Sequence, residues 1–225
     1  MLVLVVDSST PAVTAALVEV TPVGVTLRAN RCTVDARAHG ELLAPHVGAV
    51  LADADARPAD LGAIVAGLGP GPFTGLRVGL VTAATMGQVL GIPTYGVCSL
   101  DAIGCPAATG EPVLAASDAR RREIYWAVYD GAGRRIVGPE VGAPAVAAER
   151  ARDLSVTGAV GDGAHRYADI LGLPVRAEPR YPDATVLALV AAERIRAAAP
   201  GEALTPLYLR RPDAVAATAR KPVLP

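Results

Sequence analysis

The run Gly69-Pro-Gly-Pro-Phe-Thr-Gly-Leu-Arg-Val-Gly79 constrains the fold of this chain more than any other segment. It follows the apolar stretch Gly62 to Leu68 and leads into Thr74 to Leu90. A buried strand, a tight glycine turn and a long helix in that order form one α/β unit, with the helix lying back on a sheet. Free N–H groups and the helix dipole at such a junction suit an anion. Yet no Gly-Lys-Ser/Thr ending is present, and Pro70 and Pro72 remove two donors. The run therefore reads first as a structural turn, with Thr74 as N-cap and Gly75 and Gly79 admitting close packing, and second as an anion site.

The helix behind it has no polar face. Leu76, Val78, Leu80, Val81, Ala83, Ala84, Met86, Val89 and Leu90 are relieved only by Arg77, Gln88 and three threonines. Such a helix must be covered on two sides. Its sheet covers one; a neighbouring helix, a partner chain, or both must cover the other.

Three strands open the chain, at Leu2 to Val6, Val13 to Val20 and Val23 to Val34. An amphipathic helix from Glu41 to Ala54 follows, with Leu43, Val47, Val50 and Leu51 at helical spacing. Pro93 to Val97 reads as a strand, with a short helix from Ser99. Pro112 to Ser117 and Glu123 to Tyr129 form a strand pair around the charged turn at 118–122, and Arg134 to Val137 is a candidate third strand. Ser155 to Val160 is a strand, and Gly163 to Leu171 and Thr185 to Ala198 are helices. The 225 residues divide into a first lobe at 1–110, a smaller second lobe at 111–211 and a mobile tail at 212–225. The second half loosely repeats the opening strand order.

A net charge of -1 gives no global drive toward nucleic acid or anionic membrane. Contact with RNA would be local, at Arg120-Arg121-Arg122, Arg134-Arg135, Arg210-Arg211 or Arg220-Lys221, each of which also reads as a solvated face. Cys32, Cys98 and Cys105 form no CxxC pair, which fits a reducing cytoplasm. Asp7 interrupts the first apolar run, so it is neither a signal peptide nor a membrane span.

Asp7-Ser-Ser-Thr10 closes the first strand, where its hydroxyls, amides and carboxylate could meet a phosphate. It equally forms an Asx turn. Asp7, Ser9, Asp118 and Gly161 are the candidate cofactor-contacting positions, Gly161 because Gly161-Asp-Gly163 precedes a helix. The three histidines, His39, His46 and His165, make no HxxxH pair, so no metal ligand set is indicated. No GxSxG elbow is present.

The strings VDSST, HGELLAPHV, AGLGPGPFTGLRVGLVTA, GVCSLDAI, SDARRREIYWAVYD and PLYLRRPDA together resemble the TsaB family, also called YeaZ. The resemblance runs in order over nearly the whole chain, and the glycine-rich string is its most specific part. It implies an ASKHA (actin-like, RNase H-like) α/β fold of two lobes, with mixed central sheets flanked by helices. It also implies a bacterial, cytoplasmic, non-catalytic scaffold in the modification of adenosine 37 of tRNA to N6-threonylcarbamoyladenosine.

The partners so implied are a catalytic TsaD-like paralogue, a TsaE-like ATPase, and tRNA reached through the complex, with TsaC-type enzymes supplying threonylcarbamoyl-adenylate. ATP and metal would sit on the partner subunits, and this chain would need no cofactor. First-lobe helices make the paired surface in that family, which here points to Leu43, Val47, Val50, Thr74, Arg77, Val78, Val81, Thr85 and Met86. An uncovered apolar face leaves a homodimer open for the isolated chain. The paralogue binds metal through two histidines four apart; the matching positions here are Ser99 and Ile103, which cannot. Its Ser-Gly-Gly turn corresponds to Ser117-Asp-Ala-Arg120, where Asp118 would repel phosphate. Pro72 stands where family members commonly carry Ser, which removes a donor. The alternatives are an ASKHA-type ATPase or small-molecule kinase using Asp7, and a peptidase-like metalloprotein, which the missing histidine pair opposes.

Overall fold

The computed structural model describes residues 1–210. The chain opens with three antiparallel strands, β1 (Leu2–Asp7), β2 (Ala12–Val20) and β3 (Val25–Val34). Helix α1 (His39–Asp53) leads to β4 (Leu61–Gly67), which pairs parallel to β1. Helix α2 (Phe73–Leu90) then returns the chain to β5 (Thr94–Val97), parallel to β4. The first sheet thus has the order β3-β2-β1-β4-β5.

Residues of β1 alternate between two cores. Leu4 and Val6 face α1 and α2, through Leu43, Val47, Val50, Leu76, Leu80 and Ala83. Val3 and Val5 face the opposite side. A strand covered on both faces needs no polar alternation, which explains the unbroken apolar run of the sequence. The edge strand β3 is exposed along most of its length and carries charge, pairing Arg28 with Glu19 and Arg31 with Asp53. Charge on an edge discourages pairing with a second sheet.

Helix α3 (Asp101–Ala107) joins the lobes. The second sheet comprises β6 (Val113–Asp118), β7 (Ile124–Tyr129), β8 (Arg135–Gly142) and, after α4 (Pro144–Asp153), β9 (Gly158–Val160). Its order β8-β7-β6-β9, with β6 antiparallel to β7 and parallel to β9, repeats β3-β2-β1-β4 of the first sheet. This is the expected two-lobed ASKHA architecture, and the loose repeat in the sequence is a real repeat of topology.

Several expectations are corrected. The helix expected over Gly163 to Leu171 is two short ones, α5 (Asp162–Arg166) and α6 (Ala168–Leu171), broken where Tyr167 leaves helical geometry at φ -121. Strand β8 continues past Val137 through Pro139, which an edge strand tolerates because it need not donate. Most consequential is α7 (Ala184–Arg196), expected in the second lobe. Its Ala184, Leu187, Ala188, Ala191, Ala192 and Ile195 cover the open face of the first sheet. The boundary expected at 111–211 therefore fails: the chain leaves the first lobe after α3 and comes back to it.

The segment after α7 straps that return in place. Glu202 accepts from the Gly96 amide at 3.1 Å and from Arg194 at 2.6 Å, and its own N–H donates to Thr94 at 2.8 Å. The Tyr95 hydroxyl donates to the Ala199 carbonyl at 2.7 Å. Among the described residues no helix is long and apolar enough to cross a membrane. The expected tail at 212–225, with Arg211 and Arg220-Lys221, lies outside the described residues.

Candidate functional site

Asp7 ends β1 at the centre of the first sheet and is only 1% exposed. Its Oδ1 accepts from the Ser9 amide at 2.9 Å and the Ser9 hydroxyl at 2.7 Å, and its Oδ2 from the Ser99 hydroxyl at 2.5 Å. Burial pushes its pKa up, opposed by these hydrogen bonds. Ser8, Ser9 and Thr10 are buried with it. The Asx turn is therefore what the sequence forms here, and Asp7 and Ser9 face inward rather than toward a ligand.

The glycine-rich run closes over that carboxylate. A Cβ on Gly67 would lie 1.7 Å from Asp7 Oδ2, and one on Gly71 would lie 2.2 Å from the Ser9 carbonyl oxygen. Gly69, at φ +88, donates its N–H to Ser99 Oγ at 3.1 Å and accepts from the Ser99 amide at 2.7 Å. The donor expected to greet an anion is thus used inside. Helix α2 begins one residue earlier than expected, with Pro72 as N-cap and no capping side chain, so Thr74 lies in the first turn. Gly75 and Gly79 do admit close packing: Ser8 Oγ donates to the Gly75 carbonyl at 2.8 Å and accepts from the Gly79 amide at 2.9 Å.

In the second lobe Asp118 ends β6 as Asp7 ends β1. Its surroundings differ. Oδ1 accepts from the Arg120 amide at 3.2 Å and Oδ2 from Arg166 at 3.3 Å. Arg120, Arg121 and Arg122 all hold left-handed backbone, at φ 60, 54 and 62. Gly161 is confined by packing, since a Cβ there would lie 2.2 Å from the Ala116 carbonyl oxygen. It serves the start of α5. Asp162 beside it is pushed up to about 6 by burial, with the backbone amides of Asp118 and Gly163 opposing the shift and the Asp118 charge adding to it, and its Oδ1 has no hydrogen-bond partner among the described residues.

Between the lobes lies a cleft of about 770 Å³. Arg37, His39 and the first turn of α2 wall one side; Asp118, Arg120, Arg121 and Arg166 wall the other. The charged turn and the helix start are far apart in sequence, and no local signal joins them. His39 Nε2 donates to the Thr10 carbonyl at 2.8 Å, since a carbonyl can only accept. His46 is a core residue: its Nδ1 lies 2.8 Å from the Leu42 carbonyl, and its Nε2 lies 3.0 Å from the Thr33 hydroxyl. Burial pushes the Cys98 and Cys105 thiols up to about 11, aided by Asp101, so neither is a poised thiolate.

The residues expected at a partner surface separate into two sets. Leu43, Val47 and Val50 are buried against the first sheet, so they belong to the core and not to a surface. Val78 and Met86 are half-buried and pack on the same core. Thr74, Arg77, Val81 and Thr85 lie exposed on one side of α2, extended by Phe73 and Val89. Val81 is 60% and Val89 78% exposed. Sequence reasoning missed Phe73, whose ring lies under the Arg77 guanidinium at 4.5 Å and beside Tyr208 at 5.1 Å. Of the basic groups, Arg134 pairs with Asp130, Arg135 with Asp101 and Arg210 with Glu123.

Comparisons with known proteins agree with one another. A family model described as TsaD: tRNA N6-adenosine threonylcarbamoyltransferase matches residues 32–218. An uncharacterized protein of Mycobacterium tuberculosis (strain ATCC 25618 / H37Rv) is 50% identical over 212 residues, 94% of this chain and 93% of that protein. The tRNA threonylcarbamoyladenosine biosynthesis protein TsaB of Bacillus subtilis is 35% identical over 92 residues, 40% of each chain. The solved structure of YeaZ from Pseudomonas aeruginosa matches with a TM-score of 0.73 and 25% identity, over 92% of this chain and 100% of that one.

Proposed function

The chain belongs to the TsaD family of tRNA N6-adenosine threonylcarbamoyltransferases as a TsaB (YeaZ)-type member, and we propose from this that it is a non-catalytic scaffold in tRNA threonylcarbamoyladenosine biosynthesis. In this reading it pairs with a TsaD-like catalytic subunit and, through the assembly, meets a TsaE-like ATPase and tRNA in the cytoplasm. The supporting observation is the exposed face of α2, where Phe73, Val81 and Val89 stand out beside Arg77 and Thr85. An apolar row on a helix already packed on its own sheet fits a second protein surface.

The alternative, an ATPase or kinase using Asp7, requires that carboxylate to reach substrate or metal-bound water. Its enclosure by Ser9 and Ser99 weighs against that use. Reconstitution of tRNA modification with and without the chain tests the scaffold reading. Transfer is expected to require it, and full transfer by the partners alone would overturn the reading. Val81→Glu is expected to lower association with the catalytic subunit by ~10-fold or more, because a buried unpaired charge costs more than the 1.4 kcal/mol a decade requires. Unchanged association by light scattering would remove α2 from the interface.

A further inference from the structure

We propose that residues 202–210 form a latch that fixes the angle between the two lobes and so holds the cleft at one width. Among the described residues the chain otherwise passes between the lobes twice. It goes from β5 into α3, and from Arg180, whose carbonyl accepts from the Asp162 amide at 3.0 Å, into α7. Two lobes on two such connections are free to swing unless a further contact stops them. The segment after α7 makes a third passage, beside the cleft.

Its first-lobe end is tied by backbone and core contacts. Beyond the bonds of the Glu202 carboxylate, the Thr94 hydroxyl donates to the Glu202 carbonyl at 2.9 Å, and Leu204 packs on the core beneath α1 and α2. The Leu207 amide then donates to the Leu68 carbonyl at 2.9 Å, at the entry to the glycine-rich run. The second-lobe end is tied differently. Leu207 and Leu209 pack on the core shared by α3 and the second sheet, while Arg210 donates to the Ala119 carbonyl at 3.0 Å and pairs with Glu123.

Residues two apart thus touch opposite walls of the cleft. Tyr208 lies beside Phe73 in the first turn of α2, with ring centroids 5.1 Å apart, and Arg210 holds the turn that carries Arg120 and Arg121. From Leu207 on Leu68 to Arg210 on Ala119 is three residues, a length of chain that reaches at most ~11 Å. The walls cannot part further there without breaking one of the two bonds. Such a latch acts within one chain and owes nothing to pairing with a second protein, so the isolated chain tests it.

Spin labels at Ala52→Cys on α1 and Glu149→Cys on α4, both exposed positions, read the distance between the lobes by double electron-electron resonance. Cys32→Ser and Cys105→Ala remove the accessible thiols, and Cys98 is buried. The parent is expected to give one narrow distribution. Leu207→Ala/Leu209→Ala/Arg210→Ala is expected to broaden or lengthen it by ~2 Å or more, the scale of a domain rearrangement. Leu204→Ala, which leaves the bond of Leu207 to Leu68 in place, is expected to match the parent. Should the triple variant lose its native circular dichroism, Arg210→Ala alone, which frees the second-lobe end, is read in its place. A parent distribution that is already broad, or one unchanged in a latch variant of native circular dichroism, would overturn the proposal.

Discussion

The β1–β2 turn and the β6–β7 turn occupy the same place in two halves of repeated topology, and they have opposite characters. Each follows a strand ending in aspartate, and each is flanked by a glycine of positive φ at the next parallel strand's end, Gly69 in one half and Gly161 in the other. The first turn is built of the short side chains of Ser8, Ser9 and Thr10: Ser9 bends back onto Asp7, Ser8 bonds the backbone of α2, and Thr10 accepts from the Ala12 amide. The second is built of longer arginine side chains, of which Arg120 and Arg121 line the cleft. A repeated backbone therefore sets where a turn falls, while side-chain length decides whether it becomes an internal knot or an outward surface.

Replacing the two aspartates should break the symmetry most. Asp7→Ala leaves the Ser9 amide and the Ser9 and Ser99 hydroxyls without their acceptor and is expected to cost about 3 kcal/mol in chemical denaturation. Asp118→Ala, which loses an ion pair at the cleft surface, is expected to cost under ~1 kcal/mol. Equal losses would show that the second turn is as structural as the first.

Glycine substitutions should then show where the halves agree. Cβ atoms at Gly71 and Gly161 would each approach a carbonyl oxygen to 2.2 Å. Gly71→Ala and Gly161→Ala are each expected to lower stability by about 2 kcal/mol, because backbone cannot yield as a side chain can. Thermal unfolding of the two variants side by side checks this.

A pH titration separates the lobes more finely. Asp162 is pushed up to about 6 by burial, above its ordinary 3.8. A raised folded-state value means that its contribution is complete below about 3.8 and is lost as pH rises through about 6. Asp162→Asn should therefore flatten the stability profile between those values, by on the order of 1 kcal/mol. A profile unchanged by the substitution would place the titration elsewhere. The smallest effect is expected at Arg122→Gly, which relieves left-handed strain and should gain about 0.5 kcal/mol. A loss instead would mean that the arginine side chain holds the turn.

Much of the first sheet was legible because its strands are apolar and β-branched and its helices periodic. β1, β2, α1, α2 and β4 fall within one or two residues of where the sequence places them. What was not legible depends on partners distant in sequence. The alanine-rich stripe of α7 fits any apolar sheet, and nothing in its own residues says that it covers β1 and β4 rather than the adjoining second sheet. Leu43, Val47 and Val50 likewise carry the same periodicity whether a helix packs inward or against another protein. The site was half legible: the strings containing Asp7 and Asp118 stood out, but neither the hydroxyl enclosure from Ser99 nor the meeting of Arg37 with Arg120 leaves a local trace.

The late return of α7 also sets an order of events on the ribosome. Synthesis delivers β1 to β5 early, yet one face of that sheet stays bare until the chain through Arg196 has left the exit tunnel. Meanwhile the second sheet receives its own helices from residues 101–171, and Leu207 and Leu209 pack on it after α7. The lobe translated first thus waits for α7, and during that interval Val3, Val5, Val18 and Val65 form an adhesive surface that a nascent-chain chaperone would cover.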